Sequence, residues 1–117
     1  MKIFSFSKKF RLKKSNNYNK VFKKSYKIQK DNLIILGSYN NLNFPRLGIS
    51  ISKKIIPSSC KRNIFKRIAK ESFRVKKNYL IKMDFIITIK RNFLFINKKE
   101  LTKILNQTWI RYYNIYI

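Results

Sequence analysis

The chain contains no histidine, and only four of its 117 residues are acidic. A protein that cuts phosphodiesters with its own side chains needs a general base, a metal cage or a covalent nucleophile. The four acids are Asp31, Glu71, Asp84 and Glu100. They lie far apart in sequence, too sparse for a two-metal site whose ions sit about 4 Å apart. They read instead as structural: Asp31 in a turn, Glu71 offsetting helix charge, Glu100 capping a helix. The single cysteine, Cys60, excludes an internal disulfide, and with no histidine beside it reads as a bystander. No Walker loop, GxGxxG or metal-spaced cysteine set is present. No apolar run approaches the roughly 18 residues that span a bilayer. The opening MKIFSFSKKF lacks the apolar stretch of a signal peptide. The expectation is a cytoplasmic protein without a membrane partner.

What the chain has in excess is positive charge. Twenty-nine Lys and Arg give a net charge of +25. Such an imbalance repels itself unless a polyanion binds, and nucleic acid is the obvious one, because each neutralised phosphate releases a counterion. Hydrophobic residues make up 44%, with ten Phe and seven Tyr, so a packed core is within reach. The length suits one domain over 1–117, with a basic, partly extended arm over about 1–14.

Along the chain, Ser15 reads as the N-cap of a short helix to about Lys24, with Tyr18, Val21 and Phe22 on one face. Tyr26 to Gln29 and Asn32 to Tyr39 read as strands around a turn at Lys30-Asp31. Pro45 opens a third strand, Arg46 to Lys53, in which Leu47, Ile49 and Ile51 alternate with Gly48, Ser50 and Ser52. Its small polar face leaves room for a ligand or faces solvent. A central helix follows from Ser59 to Lys77. Its wheel sets Ile64, Phe65, Ile68, Ala69, Ser72 and Val75 against Arg62, Asn63, Lys66, Arg67, Lys70, Arg74 and Lys77. Met83 to Lys90 reads as a buried strand. A last helix begins at Asn97, with Glu100 placed as in a capping box, and Leu101, Ile104, Leu105, Trp109 and Tyr112 in the core.

A merely solvated helix face carries charges of both signs. Here the signs agree almost throughout, which costs stability in isolation and gains it against phosphates. Tyr18 and Phe22, one turn apart, admit two readings, stacking on unpaired bases or plain packing.

The stretch Cys60-Lys61-Arg62-Asn63-Ile64-Phe65-Lys66-Arg67-Ile68-Ala69-Lys70-Glu71-Ser72-Phe73-Arg74 resembles the signature helix of the ribonuclease P protein subunit. The segment Arg46 to Lys54 resembles the strand before it, Tyr18 and Val21-Phe22 its first helix, and Met83-Asp84-Phe85 the start of its last strand. The resemblance covers about Phe10 to Tyr113. Ile64 stands where the family has an arginine, and Lys70 replaces another, so Ile64 is not carried over as an RNA contact.

The resemblance implies an α+β two-layer sandwich like domain 2 of ribosomal protein S5, in the order α-β-β-β-α-β-α, with a left-handed β-α-β crossover against the usual right-handed rule. It implies that Arg62, Asn63, Lys66, Arg67, Lys70 and Arg74 bind the RNA subunit. It places Tyr18, Phe22, Arg46, Ser50, Ser52 and Lys53 in a cleft for the 5′ leader of precursor tRNA. The chemistry would be Mg²⁺-dependent hydrolysis in the RNA subunit, with Mg²⁺ held mainly by RNA, one protein per RNA and no catalytic residue in this chain. A ribosomal or other structured-RNA-binding protein is the alternative and would need no leader cleft. A cationic membrane-binding protein ranks third.

Overall fold

The computed structural model describes residues 8–13, 15–90 and 97–113. Its elements are α1 (Ser15–Lys23), β1 (Tyr26–Lys30), β2 (Leu33–Tyr39), β3 (Arg46–Ser50), α2 (Ser59–Lys76), β4 (Met83–Ile89) and α3 (Lys98–Trp109). Single 3₁₀ turns cover Lys8–Phe10, Lys77–Tyr79 and Ile110–Tyr112. This is the mixed α+β order that the sequence implies.

The strands form one sheet in the order β1-β2-β4-β3. β1 with β2 and β2 with β4 are antiparallel, and β3 with β4 is parallel. A parallel pair requires a crossover connection, and α2 supplies it. Alternation along β2 and β4 serves two layers. Leu33, Ile35, Phe85, Ile87 and Ile89 join the main core with Phe65, Ile68, Ala69 and Phe73 of α2 and Leu101, Leu105 and Trp109 of α3. Ile86 turns the other way and packs with Leu12 and Val21, flanked by Tyr18 and Leu36. α2 and α3 therefore cover one face of the sheet and α1 lies on the other.

The Trp109 indole explains why a serine sits on the apolar side of α2. Its Nε1–H donates to Ser72 Oγ at 2.9 Å, and Ser72 in turn donates to the Ala69 carbonyl. The ring meets Phe85 edge-on at 5.2 Å between centroids. A buried N–H left unpaired costs about 1–3 kcal/mol, so a hydroxyl here stabilises more than a methyl would.

The free edge of β3 is covered by the arm at Leu47. Arg11 bridges Leu47 in parallel, and the Leu12 N–H donates to the Leu47 carbonyl at 2.9 Å. An uncovered strand edge is a template for aggregation, and this contact shortens it.

Several boundaries differ from the sequence reading. α1 begins at Ser15 itself rather than being capped by it. β3 stops at Ser50, because Ser52 closes a turn in which its carbonyl accepts the N–H groups of Ile55 and Ile56. α3 ends at Trp109, and Tyr112 reaches the core from a 3₁₀ turn. Asn97 does cap α3, its Oδ1 accepting from the Glu100 N–H at 2.9 Å. Of the arm, residues 1–7 and 14 lie outside the described residues.

Candidate nucleic-acid interface

α2 starts cleanly because Ser58, extended at φ −73°, accepts the Lys61 N–H on its side chain. Its buried stripe is Phe65, Ile68, Ala69, Ser72 and Phe73. The stripe is rotated from the sequence-drawn wheel, which had Ile64 and Val75 on the apolar side and left out Phe73. Phe73 is fully buried, while Ile64 and Val75 are 38% and 44% exposed. The cause is α3, which packs beside α2, so that Phe73 meets the Trp109 ring at 5.8 Å.

The cationic face divides into three groups. Asn63, Arg67 and Lys70 are exposed, and Lys66 beside them is half-buried. Arg62 and Arg74 are partly committed: Arg62 Nη1 donates to the Ile56 and Pro57 carbonyls, and Arg74 pairs with Glu71 one turn back. Lys77, expected on the cationic face, is instead buried, with its ammonium 4.9 Å from the centre of the Phe10 ring. Burial lowers its pKa from the ordinary value, and the nearby charges of Arg74 and Lys9 lower it further. The arm folding back over the end of α2 accounts for this, a tertiary contact that no helical wheel contains.

Lys66 and Lys70 reach a cleft of about 200 Å³ shared with Arg11 of the arm and Tyr18 of α1. Its floor is the β3 backbone at Leu47, Gly48 and Ile49. Tyr18 lies on that floor because Gly48 has no side chain. A Cβ there would stand 2.7 Å from Tyr18 Cζ and Oη. The Tyr18 hydroxyl bonds to the Ile49 backbone, and burial raises its pKa despite that bond. Tyr18 thus bridges α1 and β3 while half-buried, and Phe22 is 50% exposed.

The other proposed cleft residues divide. Ser50, half-buried, stands opposite Thr88 on the α1 face of the sheet. Ser52 and Lys53 are exposed in the turn after β3, and Ser52 Oγ accepts the Lys54 N–H at 2.9 Å. Arg46 is held by Asp84, with Nε to Oδ1 at 2.8 Å and Nη2 to Oδ2 at 2.7 Å. That fork-to-fork pair raises the arginine pKa. Asn40 donates to the same carboxylate at 2.8 Å. Arg46 and Asp84 therefore anchor the β3–β4 pair, and the arginine fork is occupied before any RNA arrives.

The acids are less scattered in space than in sequence. Asp31, at φ 56°, and Glu100 line one broad groove with Lys30, Lys99 and Lys103. Glu71 and Asp84 are each paired with an arginine. Among the described residues, no three potential metal ligands cluster together.

The family model for ribonuclease P matches residues 6–113. The chain belongs to the ribonuclease P protein family. It is 39% identical over 109 residues to the ribonuclease P protein component of Buchnera aphidicola subsp. Schizaphis graminum, covering 93% of this chain and 96% of that one. It is 36% identical over 111 residues to the component of Vibrio cholerae serotype O1, covering 95% and 94%. The RNase P protein of Staphylococcus aureus superposes with a TM-score of 0.78 at 25% identity, over 85% of this chain and 91% of that one. The Thermotoga maritima protein shares the fold, with a TM-score of 0.75 over 86% and 96% of the two chains. The relatives are bacterial, and membership of this family assigns the chain to a ribonuclease that works in tRNA processing. Among the described residues no helix is long and apolar enough to cross a membrane.

Proposed function

We propose that this chain binds the catalytic RNA subunit of ribonuclease P through α2 and holds the 5′ leader of precursor tRNA beside α1. In that role it assists the endonucleolytic cut that makes the mature tRNA 5′ end. The observation that carries the reading is the Gly48-floored cleft, where Tyr18 of α1 meets Lys66 and Lys70 of α2. Aromatic faces beside cations suit single-stranded RNA. Asn63, Lys66, Arg67 and Lys70 supply the contacts to the RNA subunit, with Arg62 and Arg74 on the same helix. Phe22, Ser50, Ser52 and Lys53 extend the leader path. Bond breaking belongs to the RNA subunit and its Mg²⁺, which supplies the Lewis acid. Glu71 and Asp84 are each engaged by an arginine, and Asp31 and Glu100 share their groove with three lysines, so these carboxylates are poorly suited to hold that ion. The setting is cytoplasmic, with one protein per RNA.

Leader binding is separable from assembly. Phe22→Ala in the reconstituted holoenzyme reduces affinity for leader-bearing precursors about five-fold or more, the loss expected for one stacked base. Affinity for mature tRNA and for the RNA subunit stays the same. A folded mutant that loses leader-bearing and leaderless tRNA equally would refute the cleft assignment. Exposure of half the Phe22 side chain makes retention of the fold the expected outcome.

A further inference from the structure

Three of the most exposed large side chains are tyrosines that the leader cleft does not use: Tyr26, Tyr39 and Tyr79, at 59%, 58% and 61%. They fall into two ring pairs. Tyr26 meets Tyr39 edge-on with centroids 5.9 Å apart, and Tyr79 meets Tyr113 at 5.8 Å. One short stretch of chain ties the pairs together. The Tyr112 hydroxyl donates to the Tyr26 carbonyl at 3.2 Å and the Ile35 carbonyl at 2.8 Å. Its neighbour Tyr113 bridges Leu80, the residue after Tyr79.

The sheet register puts this patch on the face opposite Tyr18. Tyr39 stands across from Met83, a main-core residue, and Tyr26 across from Gly37. A Cβ on Gly37 would meet Met83 and Tyr112, so that face is the one covered by α2 and α3. Tyr18 lies on Gly48, whose partner Ile86 belongs to the α1 side.

We propose that these tyrosines form a second stacking platform for unpaired RNA bases, separate from the α1 cleft. Packing explains part of the arrangement, since Tyr26 and Tyr39 are diagonal neighbours across β1 and β2 and such pairs stabilise a hairpin. It does not explain why both rings stay more than half exposed, nor why Tyr79, outside any strand, does so too. The surrounding charge selects the partner. Lys24, Lys82 and Arg111 are exposed beside the tyrosines in the chain, while Lys27, opposite Leu36, falls on the α1 face. A protein interface depletes charge at its core, and a second copy of a chain with net charge +25 would set like charges against each other. Single-stranded RNA satisfies both features, with phosphates for the cations and π faces for the rings.

The test uses the whole chain and a fluorescein-labelled oligouridylate, read by anisotropy. In the Tyr39→Ala/Tyr79→Ala double variant, affinity falls about five-fold per ring. The slope of log affinity against log salt stays unchanged, because no cation was removed. Tyr39→Phe/Tyr79→Phe retains wild-type binding, and Tyr39→Leu/Tyr79→Leu does not. Unchanged affinity in a folded Ala variant would overturn the proposal. So would full binding by the Leu variant, which keeps apolar area without a π face. Sedimentation showing a wild-type dimer that the Ala variant abolishes would assign the patch to a second copy and also overturn it. Phe22→Ala, measured alongside, distinguishes the two surfaces: a loss with Phe22→Ala alone leaves the oligonucleotide in the α1 cleft and removes the platform.

Discussion

Gly48 and Tyr18 show how one residue's missing side chain sets another's position. The sequence displayed a small polar strand face at Gly48, Ser50 and Ser52. It did not reveal that a tyrosine from α1 fills the space above Gly48, because that contact joins residues 30 positions apart in the chain. Gly48→Ala forces the Tyr18 ring off the Ile49 backbone. The expected cost is about 1–3 kcal/mol, as for overpacking in a filled site. Tyr18→Ala removes the obstacle, so the double variant is more stable than the sum of the two single losses predicts. Denaturant midpoints at constant m check this, and simple additivity would contradict the contact. Lys77 is a second case in which sequence spacing misled. Its pKa is lowered in the fold, so the unfolded chain binds more protons just below the ordinary lysine value of 10.5. Stability contributed by this group therefore rises with pH toward 10.5. Measured as wild type minus Lys77→Met, which cancels the other titrating groups, the stability difference should climb over that range. A flat or falling difference would mean that the ammonium is not disfavoured where it lies.

At the scale of elements, the order of helices and strands was legible because hydrophobic period and turn residues are local. The α2 cationic face was legible for the same reason. What escaped was the use of each charge. Arg46 and Asp84 lie 38 positions apart, and nothing near either one announces the pair. Arg62 was expected as an RNA contact, and it also holds two carbonyls of the loop before α2. The clean test of the helix therefore uses Lys66, Arg67 and Lys70. Replacing all three with Ala should leave the fold intact and flatten the log–log salt dependence of RNA-subunit binding by roughly 0.7 to 0.9 for each lost phosphate contact. An unchanged slope in the folded variant would remove this face from the interface. Ile64→Arg, at a position 38% exposed, should be tolerated and leave affinity equal or higher. Unfolding would contradict the rotated stripe.

At the scale of the whole molecule, a chain of net charge +25 combines a core built on both sheet faces with cations left largely uncompensated by its own acids. Asp84 and Glu71 neutralise one arginine each, and the remaining excess is what an RNA partner would relieve. This explains why fold family and general role could be read from sequence, whereas the floor of the cleft and the tyrosine patch required coordinates. The central claim is that this chain positions RNA and does not cut it. The direct measurement is cleavage of precursor tRNA at a Mg²⁺ concentration too low for the RNA subunit to act alone, with protein alone, RNA subunit alone and both together. The account predicts a correct 5′ end only from the mixture, and none from nuclease-treated, repurified protein at any Mg²⁺ concentration. Specific cleavage by the protein alone, or a mixture no faster than the RNA subunit, would contradict it.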